Sequence, residues 1–479
     1  MLTFEETEMN KRNWLIALGI VTLATSAAAF GGVDFGLFRD AQLDAHSVQL
    51  FGIVTPVEAS STDSIDAGTA DADPTKLVTL AKGLEARVVS AYPNTPANVD
   101  MMALWPNDQN PTYLIACNEE GTTAPGVVRI RLSDGAVQTM ITGTTSCDPV
   151  RRTAWGTIIV GEETAPTGWL LEMINPLAIN NVLFDRTAGT FTDSIGGSGA
   201  ANVTVRPAVG RLAFEGLGLF PNGVLYYGDE NRPLNGTPGG AYFKFIPTTP
   251  WAGGNISTLS QSPLASGTIY GLRLGKRSGN TDYGQGSNTG LGTWIEVIPS
   301  FNANLRAAAA TLKLTGYYRP EDLEVDRTAL AQGYVRVCGN NTGNEGTDKN
   351  WGETVCITDG TLAQATANTA TPELQYLVMG SWDFAMMDNL AQQPRRGNWI
   401  IHEDGDGPDV GRNNDLWSCL EDGEDADTLS DGCVRIGTLN DLSAEWTGGI
   451  FDASGTHFYV SVQHNVTGHG VVLDITGWR

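Results

Sequence analysis

The stretch Gly156-Thr-Ile-Ile-Val-Gly-Glu-Glu163 sets the fold of this chain, because the same phrase returns along it. A glycine or proline turn opens a short β-branched, apolar run, and acidic or amide residues close it. The phrase recurs as Pro111-Thr-Tyr-Leu-Ile-Ala-Cys-Asn-Glu-Glu120, Gly223-Val-Leu-Tyr-Tyr-Gly-Asp-Glu230 and Gly397-Asn-Trp-Ile-Ile-His-Glu-Asp404. Weaker copies are Gly333-Tyr-Val-Arg-Val-Cys-Gly-Asn-Asn341 and Gly455-Thr-His-Phe-Tyr-Val-Ser-Val-Gln-His464. Runs this apolar at successive positions are strands covered on both faces. A strand-plus-turn unit returning at irregular intervals of roughly 40 to 70 residues indicates radial repetition, so the expectation is an all-β protein, a β-propeller.

In a propeller, equivalent strands end on the same mouth of a central channel, so acids far apart in sequence converge there. Acids after strands are also ordinary turn formers, but paired acids closing three buried strands call for more. Glu119-Glu120, Glu162-Glu163 and Asp229-Glu230 are hard oxygen donors of the kind Ca²⁺ or Mg²⁺ takes. Carboxylates sharing a site repel one another unless cations neutralise them.

The segment Gly316-Tyr-Tyr-Arg-Pro-Glu-Asp-Leu-Glu-Val-Asp326 sets Arg319 beside Glu321 and Asp322. Pro320 predicts an extended backbone at Arg319, and a guanidinium next to metal-binding carboxylates suits a phosphate. A surface ion pair is the plainer alternative. His402-Glu-Asp-Gly-Asp-Gly-Pro-Asp409, with Asn413-Asn-Asp415 beyond it, is dense in oxygen donors but lacks the closing Glu of an EF-hand. It reads equally as a Ca²⁺ loop or a solvated loop. There is no G-x-S-x-G elbow, H-E-x-x-H pair or phosphate-cradling G-x-x-x-x-G-K-[ST]. His464 and His469 carry a structural role by default.

With 54 acidic and 29 basic residues in 479, the formal net charge is −25. Such a surface repels nucleic acid and anionic lipid and attracts cations. Lys11 and Arg12 precede the apolar run from Trp14 to Leu23, and Ala27 and Ala29 fit cleavage before Phe30. That reads as a signal peptide over 1–29, with translation starting at Met1 or Met9, and as periplasmic or secreted placement without an integral membrane segment after cleavage. Six cysteines in an oxidising compartment suggest disulfides, and neighbour pairing (117 with 147, 338 with 356, 419 with 433) is the simplest of 15 arrangements. Residues 30–95 read as an N-terminal arm with a mobile loop at 59–73 and an amphipathic-helix candidate at Lys76 to Val89; the propeller occupies 96–479.

Set in order, Arg152-Thr-Ala-Trp-Gly-Thr-Ile-Ile-Val-Gly-Glu-Glu163, Gly210-Arg-Leu-Ala-Phe-Glu-Gly216, Arg319-Pro-Glu-Asp322, and Glu445-Trp-Thr-Gly-Gly449 with Val462-Gln-His464 resemble the PhoX-type alkaline phosphatases. The resemblance runs from about Asn98 to the C-terminus. It implies a six-bladed propeller whose channel mouth holds calcium and iron (Fe³⁺) and hydrolyses phosphate esters. It carries metal-ligand roles onto Glu120, Glu162, Glu215, Glu321 and Glu445, and the phosphate contact onto Arg319. Two positions depart: Gly161 stands where the family has a cysteine ligand to iron, and Phe214 where it commonly has histidine.

The readings that follow are a secreted, monomeric, calcium-dependent phosphatase acting on small phosphate esters, a non-catalytic calcium-stabilised propeller serving as a binding or envelope module, and a metal-dependent lactonase that has no need of Arg319.

Overall fold

The computed structural model describes residues 35–233, 239–275, 289–344, 350–405, 410–423 and 425–479. The expected signal peptide lies outside them. Runs such as Thr157–Glu162, Leu225–Asp229 and Trp399–Glu403 are buried at every position, as strands sandwiched between neighbouring sheets must be.

Five antiparallel-dominated sheets form a propeller-like, all-β arrangement. The first contains Val99–Trp105, Tyr113–Asn118, Pro125–Arg131 and Val137–Thr142, and the hairpin Asn180–Asp185 with Thr190–Ser198 extends its outer edge. The second contains Cys147–Arg152, Thr157–Glu162, Leu170–Ile174 and Val203–Val205. The fourth and fifth begin at Met387–Gln392 and Glu445–Phe451.

The third sheet differs from the expectation of six separate blades. It has nine strands, from Phe214–Leu219 at one edge to Pro320–Val325 at the other. Its two halves meet where Gly290–Val297 pairs with Glu373–Met379 through Gly290 with Leu374 and Leu291 with Glu373. That short ladder turns two groups of strands into one sheet, so among the described residues the sheets number five: four separate blades and one joined pair of half-sheets.

The first strand of each group lines the axis, and these six pack on one another in cyclic order: those of Val99, Cys147, Phe214, Pro320, Met387 and Glu445, the last returning to the first. The N-terminal residues close the ring. Val78–Leu80 adds an outer strand against Cys433–Leu439, and Glu85–Ser90 adds one against Val471–Thr476. The amphipathic-helix expectation over Lys76 to Val89 is thereby corrected, since β-branched Val78, Thr79, Val88 and Val89 favour these edge strands. Residues 59–73, expected as a mobile loop, are tied down: Ser60 Oγ donates to Asn413 O at 2.9 Å, Ile65 N to Asn440 O at 2.8 Å, and Asp66 caps the helix Ala67–Ala72. Three disulfides join Cys117 to Cys147, Cys338 to Cys356 and Cys419 to Cys433.

Candidate metal centre

Each axial strand carries one acid at its start, after an apolar residue: Val99-Asp100, Cys147-Asp148, Phe214-Glu215, Pro320-Glu321, Met387-Asp388 and Ala444-Glu445. In five of the six the ladder to the next strand is interrupted at the acid itself, between Val99 and Met102, Cys147 and Val150, Phe214 and Leu217, Pro320 and Leu323, and Met387 and Leu390. Such irregularities bend a strand and re-aim its side chain. The six acids therefore start from equivalent positions around one mouth.

A second tier comes from the residue just past each second strand: Glu119, Glu163, Glu230, Thr342, Asp404 and His464. In five groups its backbone N–H donates to the carbonyl just before the axial strand, Glu119 to Asn98, Glu163 to Ser146, Glu230 to Ala213, Thr342 to Arg319 and Asp404 to Met386, at 2.7–3.2 Å. One local repeat thus sets a mouth residue beside an axial acid.

Three carboxylate triples result, each with ligand atoms within 4.8 Å of one another: Asp100 with Glu119 and Asp148, Asp148 with Glu163 and Glu215, and Glu215 with Glu321 and Asp388. Asp148 and Glu215 belong to two triples each, so the three join into one band. Glu445 continues it, raised by burial and by the neighbouring Asp404 carboxylate, and His464 Nδ1 lies 2.7 Å from Glu445 Oε1. Burial, followed by repulsion from neighbouring carboxylates, raises Asp100, Asp148, Glu163, Glu215, Asp388 and Glu445 well above the usual carboxylate range. Burial likewise raises Glu321 to about 8, although Arg319 pulls it down. Without cations the band holds protons.

Arg319 stands at the edge of this band, its Nε 2.8 Å from Glu230 and 3.2 Å from Glu321. Its backbone is not extended as Pro320 suggested: φ is +58°. The conformation is held because Arg319 N donates to Asn231 O and its carbonyl accepts from Thr342 N. Thr342 Oγ1 also donates to Glu321. Burial would lower the guanidinium's pKa, but Glu321 and Glu230 outweigh it and hold it charged.

Of the sequence-derived ligands, the structure brings Glu215, Glu321 and Glu445 to the mouth and leaves Glu120 and Glu162 out of the carboxylate triples. Glu120 Oε1 instead accepts from Asn98 Nδ2 at 3.1 Å. Glu162 is fully buried, accepts from Thr145 N and Trp169 N, and pairs with Arg186 at 2.7 Å. Alternation along a strand is the reason: adjacent residues point to opposite sides, so Glu119 and Glu163 take the places in the mouth. Asp229 and Glu403 repeat the Glu162 pattern, each neutralised by an arginine, Arg306 and Arg412.

Asp100, Asp148 and Asp388 had no sequence motif of their own. In the supposed calcium loop, residues 406–409 lie outside the described residues. Asn413, Asn414 and Asp415 are engaged by Leu439, Ala444 and Arg435, while His402 is fully buried and depressed to about 3 by that burial.

A carboxylate-rich donor set fits hard divalent cations. It does not fit a thiolate-bound iron: all six cysteines are in disulfides. A Cβ at Gly161 would come within 2.6 Å of Phe214 Cβ and 2.8 Å of Pro149 Cγ. A side chain at 161 would therefore run into Phe214 and Pro149.

The family model "Alkaline phosphatase PhoX" matches residues 199–465. Among solved structures, PhoX of Pseudomonas fluorescens in complex with vanadate, a transition state analogue, is similar with a TM-score of 0.60 at 16% identity, over 87% of this chain and 97% of that one. A PQQ-bound aldose sugar dehydrogenase from Streptomyces coelicolor matches with a TM-score of 0.41 at 11% identity, over 82% of this chain and 98% of that one. A Xanthomonas campestris gluconolactonase, XC5397, gives 0.40 at 12%, over 88% and 96%. No curated protein sequence matches the chain significantly.

Proposed function

We propose, from the premise that the chain belongs to the PhoX family of alkaline phosphatases, that it is an exported, calcium-dependent hydrolase of small phosphate monoesters. The observation that carries this reading is the band of overlapping carboxylate triples with Arg319 at its edge. Reading the nine-stranded sheet as two blades joined at their outer strands gives six blades and six equivalent acid positions. Asp100, Glu119, Asp148, Glu163, Glu215, Glu321, Asp388 and Glu445 would hold the cations, Asp148 and Glu215 each belonging to two of the triples. Bound there, Ca²⁺ supplies charge neutralisation and a Lewis acid for the phosphoryl oxygens.

The residues' own parts follow from their placement. Arg319 orients the phosphate: its Nε is spent on Glu230 and Glu321, and its terminal nitrogens face the task of holding two oxygens in a fork. As charge accumulates on the transferring group, this fixed guanidinium stabilises it without reorganising. Glu230 and Thr342 position the pair, Glu230 by holding Arg319 and Thr342 by holding Glu321. Three disulfides and the family support a periplasmic or extracellular site of action.

The test is turnover of p-nitrophenyl phosphate by the purified full chain with Ca²⁺ supplied, before and after chelation. Hydrolysis that stops on chelation and returns with Ca²⁺ is expected. Absence of turnover between about pH 6 and 10, with a chelator-sensitive melting temperature, would leave a calcium-stabilised binding module in its place.

A further inference from the structure

The six axial strands end at the far side of the channel around a cavity of about 380 Å³, within the size range of small-ligand sites. Its walls mix apolar side chains, Leu219, Leu330 and Ile450 among them, with the carboxylates Asp108 and Glu324 and three arginines, Arg151, Arg152 and Arg327. Arg151 reaches across the channel, its Nη2 2.7 Å from Asp322 and 3.0 Å from Leu323 O, although their strands are not neighbours in the ring. That ion pair lies between the cavity and the acids at the other mouth.

The other two arginines are less fully matched. Arg152 gives Nη2 to Asp108 at 2.7 Å. Its side chain keeps 27% of its surface exposed. Arg327 is 43% exposed and only 3.6 Å from Glu324. A guanidinium has donors and no acceptor, so what satisfies it must supply oxygen lone pairs.

We propose that this cavity is a second binding site, for an amphipathic anion: a phosphonate, phosphate or carboxylate headgroup at Arg152 and Arg327, with its apolar body on Leu219, Leu330 and Ile450. The proposal is independent of the phosphatase reading, because none of these residues belongs to the acidic mouth.

Calorimetry on the full chain carrying Arg319→Ala tests it, since that variant weakens anion binding at the acidic mouth. The probes are hexylphosphonate, hexanoate and hexylammonium. Saturable one-to-one binding of hexylphosphonate, hexanoate or both at millimolar concentration is expected, with the pattern between the two naming the headgroup. Added Arg152→Met should weaken it about tenfold or more, the loss of a charged hydrogen bond. Leu219→Trp, which keeps the arginines and fills the cavity, should abolish it at an unchanged melting temperature. Failure of both anions to bind, equal binding of hexylammonium, or indifference to both substitutions would overturn the proposal.

Discussion

The two ends of the channel are built from the same six strands and have opposite chemistry. At their starts, acids from every axial strand meet with Arg319 as the cation among them. At their finishes, three arginines face Asp108 and Glu324 in a cavity of mixed polar and apolar lining. Local geometry explains the contrast. At the starts, the interrupted ladders and the carbonyl-to-N–H ties of Glu119, Glu163, Glu230, Thr342 and Asp404 aim side chains inward. At the finishes the ladder is regular in five groups, and polar residues such as Arg152 and Gln392 close the strands after apolar or buried ones. An end that concentrates like charge requires a ligand; an end whose ion pairs nearly balance merely accepts one.

The strongest way to break this comparison is to cut the band at its bridge. Glu215→Gln removes a charge shared by two triples, so phosphate-ester turnover should fall below detection and cation binding should lose more than one ion, read by elemental analysis. The same variant should melt higher than the parent once chelated, because one source of buried repulsion is gone. A variant that keeps full turnover would show that the band is not the site of reaction. Next in size, Arg319→Ala should lower kcat/KM by roughly 10²–10³, the range found when a single preorganised donor to a transition state is removed. Calcium content should stay unchanged, which separates the anion's partner from the cations' ligands.

A finer contrast sits inside one dipeptide. Glu162→Ala deletes the acceptor of two backbone N–H groups and the partner of Arg186, and should cost about 3–5 kcal/mol of stability. Glu163→Ala, one residue on, should instead stabilise the chelated protein and weaken its cation binding. Denaturant titrations with and without Ca²⁺ read both. Equal behaviour of the two variants would dissolve the distinction between a structural and a functional acid.

That dipeptide also marks how far the sequence could be read. The second strands announced themselves, since Gly156 to Glu163 and its copies join a turn glycine, a buried run and a polar close in a few residues. The axial acids had no such signature: Val-Asp, Cys-Asp or Met-Asp occurs anywhere, and only its recurrence ahead of each mouth residue, 15 residues from Asp148 to Glu163 and 21 from Glu321 to Thr342, makes it a pattern. Choosing between Glu119 and Glu120, or Glu162 and Glu163, needed the strand's last paired residue, because a shift of one reverses the face. The joined third sheet was illegible for a different reason. It depends on two residue pairs, Gly290 with Leu374 and Leu291 with Glu373, between segments whose propensities say nothing of each other.

The smallest expected effect is the dependence of stability on pH, and its sign discriminates between the two ends. In the cation-free protein Glu321 is raised from its ordinary 4.5 to about 8, and its neighbours in the band are raised as well. The folded state then binds more protons than the unfolded chain across that interval, so stability falls as pH rises from about 5 to 8. The contribution is fully present below the ordinary carboxylate value and is lost on passing the folded one. Cations replace protons at the same oxygens, so with Ca²⁺ the melting temperature should hold or rise over the same interval, and the gap between loaded and chelated protein should widen with pH. The effect belongs to the acidic end, where the raised carboxylates lie. A chelated protein whose melting temperature is flat or climbs between about pH 5 and 8 would mean that the acids are not crowded as described. The charge contrast between the two mouths would then have no energetic consequence.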